Sequence, residues 1–189
     1  MIIQPAGRSD LPRLVELRNQ SKAWLAAHGS DQWQNPWPNH EAMVERLQAS
    51  IDAGETWMVF DDQDQPVATL ALDRYADPQL WTPEEREQPA FYLHRLIVDR
   101  AHAGRGYGTR LLDWACDHAA AEAALWVRID VWTTNMPLQR YYLAHGFQHV
   151  RTLELTDCPS GALFQRLALP TPTHNIIQRA RPPVSKEFS

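Results

Sequence analysis

A glycine-rich stretch between a strand pattern and a helix pattern constrains the fold of this chain more than any other feature. "AFYLHRLIVD", residues 90–99, predicts the longest strand, and an amphipathic helix is predicted just after Gly104, Gly106 and Gly108. In such a unit the backbone N–H groups at the helix N-terminus converge, and that end carries about half a positive charge. Glycines also let the backbone approach a bulky anion. The pattern therefore predicts either a site for a phosphate-bearing ligand or a tight turn without a ligand.

Two common nucleotide motifs do not fit this loop. A Walker A loop ends in Lys-Ser/Thr after its second glycine, and that ending is absent here. The dinucleotide fingerprint needs Gly-x-Gly-x-x-Gly near the first strand of a βαβ unit, whereas this Gly-x-Gly-x-Gly comes late in the chain. Arg100, Arg105 and Arg110 flank the loop and would add charge-assisted contacts to an anion.

The hydrophobic periodicity along the chain predicts the element order βααβββαβαββ. This order indicates an α/β protein with about seven strands in one sheet and helices on both faces. Residues 1–169 are predicted to form one domain. The segment 170–189 is rich in proline and polar residues, so we predict a weakly ordered tail, with packing on a neighbouring subunit as the alternative.

Composition narrows the classes of function. The 189 residues carry a formal net charge of −5, which argues against a general nucleic-acid binder and weakly favours a cationic small molecule as partner. Two cysteines are too few for a disulfide framework, and no apolar run suits a signal peptide or a membrane span, so a cytoplasmic protein is expected. The histidines are scattered without metal-ligand spacing, so no metal site is predicted.

Two motifs in this order and spacing resemble those of the GNAT acetyltransferase superfamily. "LHRLIVDRAHAGRGYGTRLLDWA" is similar to the acetyl-coenzyme A motif, whose Arg/Gln-x-x-Gly-x-Gly/Ala core falls on residues 103–108. Ala103 stands where the family prefers Arg or Gln. "NMPLQRYYLAHGF" resembles the family's Asn-x-x-Ala-x-x-x-Tyr-x-x-x-Gly-Phe pattern, with Leu138 in place of alanine.

The resemblance implies a mixed, mostly antiparallel central sheet that is splayed between strands 91–98 and 125–132. It implies acetyl-coenzyme A as co-substrate, with the backbone of Leu96, Ile97 and Val98 paired to the pantetheine arm. The pyrophosphate would lie on a loop formed by Gly104, Arg105, Gly106, Tyr107, Gly108 and Thr109. Asn135 would contact the arm near its reacting end. Tyr142 would be the general acid that protonates the leaving thiolate, with a core aromatic as the alternative.

The general base is less clearly marked. Tyr92, His94, Leu96 and Val98 alternate toward one face of the predicted strand. On the neighbouring strand Arg128, Asp130 and Trp132 share a face, and the resemblance implies that polar side chains here line the cleft. His94 titrates in the range suited to taking a proton from an ammonium, and Asp130 is the second candidate. A buried ion pair of Asp130 with Arg128 or Arg95 is the structural alternative.

An acceptor wall is predicted in the loop "GSDQWQNPWP" between the first two helices. Trp33 and Trp37, with Asp31, would stack on a ring or hold a cation, or else plug the core. The acidic insertion 74–89 is interpreted as a lid or a dimer contact.

Together these features predict an N-acetyltransferase that acts on a small primary amine. A protein N-terminal or lysine acetyltransferase and a non-catalytic coenzyme A-binding module are the alternatives, and a homodimer is left open.

Overall fold

The computed structural model describes residues 1–34, 39–156, 158–171 and 174–180. Short 3-10 turns at Arg8–Asp10 and Arg100–His102 accompany the regular elements. The regular elements in chain order are β1 (Ile2–Pro5), α1 (Leu11–Ala27), α2 (His40–Asp52), β2 (Thr56–Phe60), β3 (Pro66–Asp73), α3 (Pro83–Arg86), β4 (Ala90–Val98), α4 (Tyr107–Ala121), β5 (Trp126–Val131), α5 (Met136–Ala144), β6 (Gln148–Thr152), β7 (Ala162–Leu167) and β8 (Ile177–Gln178).

The strands form one open sheet in the order β6-β7-β5-β4-β3-β2-β1-β8. Only the β4–β5 and β1–β8 pairs are parallel, so the predicted mixed, mostly antiparallel sheet is confirmed. The described residues give eight strands rather than about seven. The additional strand is β8, which pairs with β1 from within the segment 170–189, and Ile176 beside it is buried. A strand of two residues is too short to leave a periodic pattern, which is why the sequence did not predict it.

Helices cover the sheet on both faces, as predicted. On one face α4 and α5 pack on the main core, and the buried positions of α4 are Leu111, Leu112, Trp114, Ala115, Cys116 and Ala119. On the other face α1 contributes Leu14 and Leu17 to a second core that also holds Ile97 of β4. Because β4 contributes to both cores, its side chains reach both layers of the fold.

The central strands β4 and β5 pair only at their first residues. The paired positions are Ala90 with Trp126, Phe91 with Val127, and Tyr92 with Arg128. Beyond them β5 continues along β7, and β4 continues along β3. Among the described residues, the edge of β4 that faces β5 is thus without a strand partner over its second half, where the splay was predicted.

A β-bulge interrupts β4 at Arg95. Thr69 pairs with Ile97 but Ala71 pairs with His94, so β4 carries one extra residue, and Arg95 has a left-handed φ of 51°. The bulge reverses the alternation of side chains. Leu96 and Val98 therefore pack on the main core, whereas Tyr92 and His94 face the opposite side. The prediction that Tyr92, His94, Leu96 and Val98 share one face is wrong for this reason.

The insertion between β3 and β4 is part of the core. Its Leu80 and Trp81 are buried in a third cluster with Tyr92 and Leu163. The fully buried Arg128 binds this insertion, because its Nη1 donates to the Glu85 carbonyl (2.6 Å) and its Nη2 donates to Gln88 Oε1 (2.7 Å). An ion pair between Arg128 and Asp130 is therefore not formed.

Replacing Arg128 by methionine is expected to destabilise the fold. The change leaves the Glu85 carbonyl and the Gln88 amide without their donors, and we expect a loss of about 3 kcal/mol in the free energy of unfolding. Urea denaturation measures this loss. Arg86→Met, at an exposed position in the last turn of α3, is the matched control and should change stability by under about 0.5 kcal/mol. Equal midpoints for the two variants would contradict the expectation.

Candidate active site

The glycine loop forms an open cradle at the start of α4. Gly104 and Gly106 have left-handed φ values of 77° and 76°, and a Cβ at either position would meet no atom within 4 Å. Gly106 is the N-cap residue of α4, and the first intrahelical hydrogen bond runs from Arg110 N to the Gly106 carbonyl (3.2 Å). The N–H groups before Arg110 in the first helical turn therefore have no acceptor within the helix. These free donors beside open space suit a pyrophosphate.

Asp99 fixes the entry to this loop, and the sequence pattern did not reveal it. Its Oδ1 accepts from Ala101 N (2.8 Å), and its Oδ2 accepts from Arg13 Nη2 (2.5 Å). The same Arg13 nitrogen donates to the Pro66 carbonyl (2.9 Å), so Arg13 ties α1 to the start of β3 as well as to Asp99 at the end of β4. Burial alone would raise the pKa of Asp99, but the donors around the carboxylate outweigh it and the pKa is lowered.

The three arginines near the loop have different surroundings. Arg100 lies over the Trp24 ring at 4.1 Å, and Arg110 donates to the carbonyls of His174 and Asn175, each at 2.8 Å. Arg105 is exposed and makes no ion pair with the residues that the structure describes. Of the three predicted anion contacts, Arg105 is the side chain that is open to a ligand.

The last predicted loop residues pack on α5. A Cβ at Gly108 would overlap the Tyr141 hydroxyl, so glycine is required here for the close approach of α4 and α5. Thr109 Oγ1 lies 2.8 Å from His145 Nε2, also on the α5 side. Tyr107 is half-buried and has its ring edge-on to His102, with 6.0 Å between centroids. These contacts hold the start of α4 in place.

A histidine lies between two carboxylates where β4 and β5 separate. His94 Nε2 is 3.3 Å from Asp73 Oδ2, and His94 Nδ1 is 3.5 Å from Asp130 Oδ1. The His94 side chain is 32% exposed, so it is reachable from solvent. The structure therefore brings His94 and Asp130 together as a pair. Asp73, which comes from β3, was not predicted, because its approach depends on the pairing of distant segments.

The two carboxylates set the protonation of His94. Burial lowers the pKa of the imidazole, but Asp73 and Asp130 outweigh this effect, and the pKa lies above its ordinary value of 6.5. Burial raises the pKa of Asp130, and the charge of His94 partly opposes that rise. The two carboxylates thus favour the protonated form of His94, and its partly exposed side chain is accessible to solvent.

Tyr142 of α5 is buried in the main core. Burial, with the nearby charges of Tyr141 and Asp130 added, raises its pKa far above the ordinary value of 10.0, so the phenol stays protonated. Its ring packs edge-on against Phe147, with 5.4 Å between centroids. Within the described part of the chain the Tyr142 hydroxyl has no hydrogen-bond partner, so it is free to donate to a ligand.

Both ends of the Asn135 side chain are engaged. Its Oδ1 accepts from Leu138 N (3.1 Å) and so caps α5, while its Nδ2 donates to Gln32 Oε1 (2.6 Å). Gln32 belongs to the loop after α1, and it is also buried. The asparagine therefore joins the start of α5 to this loop, a contact that the motif alone did not indicate.

A cleft of about 620 Å³ opens between the helices α1 and α2 and the sheet. Trp33, which has a left-handed φ of 63°, lines it together with Asp31, while Trp37 lies outside the described residues. Asp31 Oδ1 accepts from Trp132 Nε1 (2.9 Å) and Thr134 Oγ1 (2.7 Å). The other lining residues are Arg18, Gln34, Met43, Arg46, Leu47, Arg95, Trp132, Thr156, Cys158 and Pro159.

The cysteines do not provide a thiolate. Burial raises the pKa of Cys116 to about 11, and burial also raises the pKa of Cys158 in the cleft wall. Both side chains are therefore protonated thiols near neutral pH.

Comparison with known proteins identifies the class. The model of the "Acetyltransferase (GNAT) family" matches residues 23–147. The uncharacterized N-acetyltransferase YesJ of Bacillus subtilis is 27% identical over 146 residues, which are 76% of this chain and 79% of YesJ. The fold and these matches define an N-acetyltransferase. The chain belongs to the GNAT superfamily, and the resemblance found in its motifs is confirmed.

Solved structures share the fold. A GNAT-family acetyltransferase from Listeria monocytogenes superposes with a TM-score of 0.73 at 21% identity, covering 88% of this chain and 94% of its own. The PaiA N-acetyltransferase from Thermoplasma acidophilum, solved in complex with coenzyme A, gives a TM-score of 0.66 at 19% identity, with 87% and 97% covered. Among the described residues, the helices are too short or too polar to cross a membrane.

Proposed function

We propose that this protein transfers the acetyl group of acetyl-coenzyme A to the primary amine of a small molecule. The observation that carries this proposal is His94, held between Asp73 and Asp130 at the point where β4 and β5 separate. A base is thus positioned at the end of a gap that begins near a phosphate cradle. The amine acceptor would approach from the cleft that reaches Arg95, the neighbour of His94 in the bulge.

The residues of this chain suit coenzyme A. The pyrophosphate would lie on the N–H groups around Gly106 at the start of α4, with Arg105 beside it. The unpaired edge of β4 at Leu96, Ile97 and Val98 would bind the pantetheine amides as an added strand does. Asn135 would act at the reacting end, mainly by holding α5 and the loop of Gln32 in place. Acetyl-coenzyme A supplies an activated acetyl thioester to this site.

The side chains of His94 and Tyr142 would carry out the two proton transfers of the reaction. His94 would take a proton from the acceptor ammonium, directly or through water, in its deprotonated form. Its raised pKa makes it a stronger base, and the deprotonated fraction grows as the pH rises through that pKa. Tyr142 would donate a proton to the leaving thiolate, which suits a phenol that burial keeps protonated. Asp130 would hold His94 in place and add negative charge near the ammonium.

The dimensions of the acceptor cleft favour a small molecule over a protein. Its volume of about 620 Å³ lies within the usual range for small-ligand sites, and Trp33 and Trp132 form part of its wall. A protein acceptor would need an open groove that accommodates an extended chain. The cleft between α1, α2 and the sheet is bounded instead by three separate parts of the fold.

Calorimetric titration with acetyl-coenzyme A, followed by an assay of thiol release with a panel of amines, tests this function. We expect micromolar binding and amine-dependent thiol release. Absence of binding would contradict the proposal, and binding without turnover of any amine would favour the non-catalytic alternative.

Tyr142→Phe should lower kcat by roughly 100-fold, because it removes the proton donor for the thiolate, and should leave acetyl-coenzyme A affinity nearly unchanged. Tyr92→Phe is the control, because it removes a buried hydroxyl that only accepts from Arg128 (3.1 Å). Thiol release and calorimetry measure the two quantities. A Tyr142→Phe enzyme with wild-type kcat would exclude Tyr142 from the mechanism.

A further inference from the structure

The charge of the acceptor cleft is opposite to that of the whole chain. Three arginines, Arg18, Arg46 and Arg95, line it beside a single carboxylate, that of Asp31. The formal net charge of the chain is −5, from which the sequence favoured a cationic partner. The three arginines come from α1, α2 and the β4 bulge, so only the folded chain brings them together.

The carboxylate in the cleft does not neutralise the arginines. Asp31 is held by Trp132 and Thr134, and it forms no ion pair with an arginine in the described part of the chain. The hydrogen bond from Thr134, which has the larger effect, and the one from Trp132 lower the pKa of Asp31. Within the described part of the cleft wall, Asp31 therefore leaves the charges of Arg18 and Arg95 without a carboxylate partner.

Arg18 and Arg95 have neutral partners. The Arg18 guanidinium lies 5.4 Å from the centroid of the Trp33 ring and forms no ion pair with the described residues. Arg95 Nη2 donates to Ser50 Oγ (2.8 Å), and its other donors have no carboxylate within ion-pair distance among those residues. Guanidiniums in this arrangement are ready to bind an oxyanion through paired hydrogen bonds.

The electrostatic surroundings of Arg18 and Arg95 also favour an anion in the cleft. Burial, with the charge of Arg46 added, lowers the pKa of Arg18. Burial also lowers the pKa of Arg95, where the attraction of Asp73 and Glu55 is opposed by the charges of Arg46 and Arg18. Both groups remain cations at neutral pH, and an anion in the cleft would relieve their mutual repulsion.

We propose that the acceptor carries an oxyanion group, a carboxylate or a phosphonate or phosphate, that binds Arg18 and Arg95 while its amine reaches His94. This inference rests on the proposed function and specifies its substrate class. Met43, Leu47 and the Trp33 ring form an apolar part of the wall, so an apolar side chain on the acceptor would pack there. Amino acids with apolar side chains combine these three features.

Matched acceptors test the charge requirement. The panel holds the apolar and aromatic L-amino acids, the phosphonate analogue of phenylalanine, and phenylalaninamide and phenethylamine, which lack the anion. We expect the acids to have KM values at least about 10-fold below those of the two amines without an anion. A preference between phenylalanine and its phosphonate analogue then identifies the oxyanion.

The outcomes separate this inference from the function on which it rests. If phenethylamine and phenylalaninamide are used as well as the acids, or if they are acetylated and no acid is, the inference is wrong and the proposed function stands. If acetyl-coenzyme A binds and no amine is acetylated, the inference is wrong and the non-catalytic alternative is favoured. If acetyl-coenzyme A does not bind, the proposed function fails and the inference fails with it.

A charge-removing variant links the effect to the cleft. Arg18→Gln should raise KM for the preferred acid by roughly 10- to 100-fold and leave KM for phenethylamine nearly unchanged, and Arg18→Lys should recover part of the loss. Arg86→Gln, at an exposed position of α3, is the charge-matched control. An unchanged affinity for acetyl-coenzyme A shows that each variant is folded. A folded Arg18→Gln enzyme with wild-type KM for the acid would overturn the inference.

Discussion

Gly106→Val is expected to weaken acetyl-coenzyme A binding by at least roughly 100-fold, about 2.7 kcal/mol. Gly106 has a left-handed φ of 76° and faces open space at the start of α4. A branched side chain would project into the space where the pyrophosphate is proposed to lie. It would also turn the backbone away from the left-handed region and so misdirect the N–H groups of the first helical turn. Calorimetric titration measures the change in affinity.

The control separates ligand binding from backbone strain. Gly54 has the same φ of 76°, also faces open space, and lies in the turn between α2 and β2, away from the loop. Gly54→Val should therefore lose a similar amount of stability, about 1–2 kcal/mol, and keep the affinity of the wild type. If both variants bind acetyl-coenzyme A normally while folded, the phosphates lie elsewhere.

His94→Gln is expected to lower kcat by roughly 100- to 10,000-fold, because glutamine can keep a hydrogen bond to Asp73 or Asp130 but cannot take a proton. The affinity for acetyl-coenzyme A should change little, since the cradle at Gly106 is separate from this cluster. Thiol release with an accepted amine measures kcat. A kcat within a factor of three of the wild type would remove His94 from the mechanism.

The pH profile gives a second readout of His94. A base acts when deprotonated, and the pKa of His94 lies above 6.5, so kcat/KM should rise with pH through an inflection above 6.5. Asp73, Asp130 and Arg95 are the charged groups that face it, and the two carboxylates outweigh the arginine. Asp130→Asn removes one carboxylate and should move the inflection to lower pH. The same amine is used with both enzymes, so its own titration cancels. The difference between the two pH profiles therefore reports a group of the protein.

Local patterns in the sequence were sufficient for much of the fold. The strand and the amphipathic helix on either side of the glycine loop are predicted by side-chain periodicity, and the structure has them as β4 and α4, with Leu111, Leu112 and Ala115 in the buried stripe of α4. The separation of β4 and β5 was predicted from the family resemblance, because the sequence of one strand does not show where a neighbouring strand stops pairing with it. These features are either local or carried by a motif.

Features that depend on distant contacts could not be predicted in this way. The bulge at Arg95 has a left-handed φ at a residue that is not glycine, so only the packing around it, including its hydrogen bond to Ser50, reveals it. Asp73 reaches His94 through the pairing of β3 with β4. The basic wall of the cleft likewise unites side chains that are 77 positions apart at the extremes, Arg18 and Arg95.

The short strand β8 has a consequence for how this protein behaves in concentrated solution. Without it, β1 would present a row of free N–H and C=O groups at the edge of the sheet, a surface on which another chain can add as a strand. The hydrogen bonds from Ile177 N to the Met1 carbonyl (3.2 Å) and from Arg179 N to the Ile3 carbonyl (2.8 Å) occupy part of that row. The same segment accepts hydrogen bonds from Arg110 near the start of α4. Residues 174–180 thus cover part of this edge, and a shortened version ending at residue 169 is expected to expose it and to self-associate more readily.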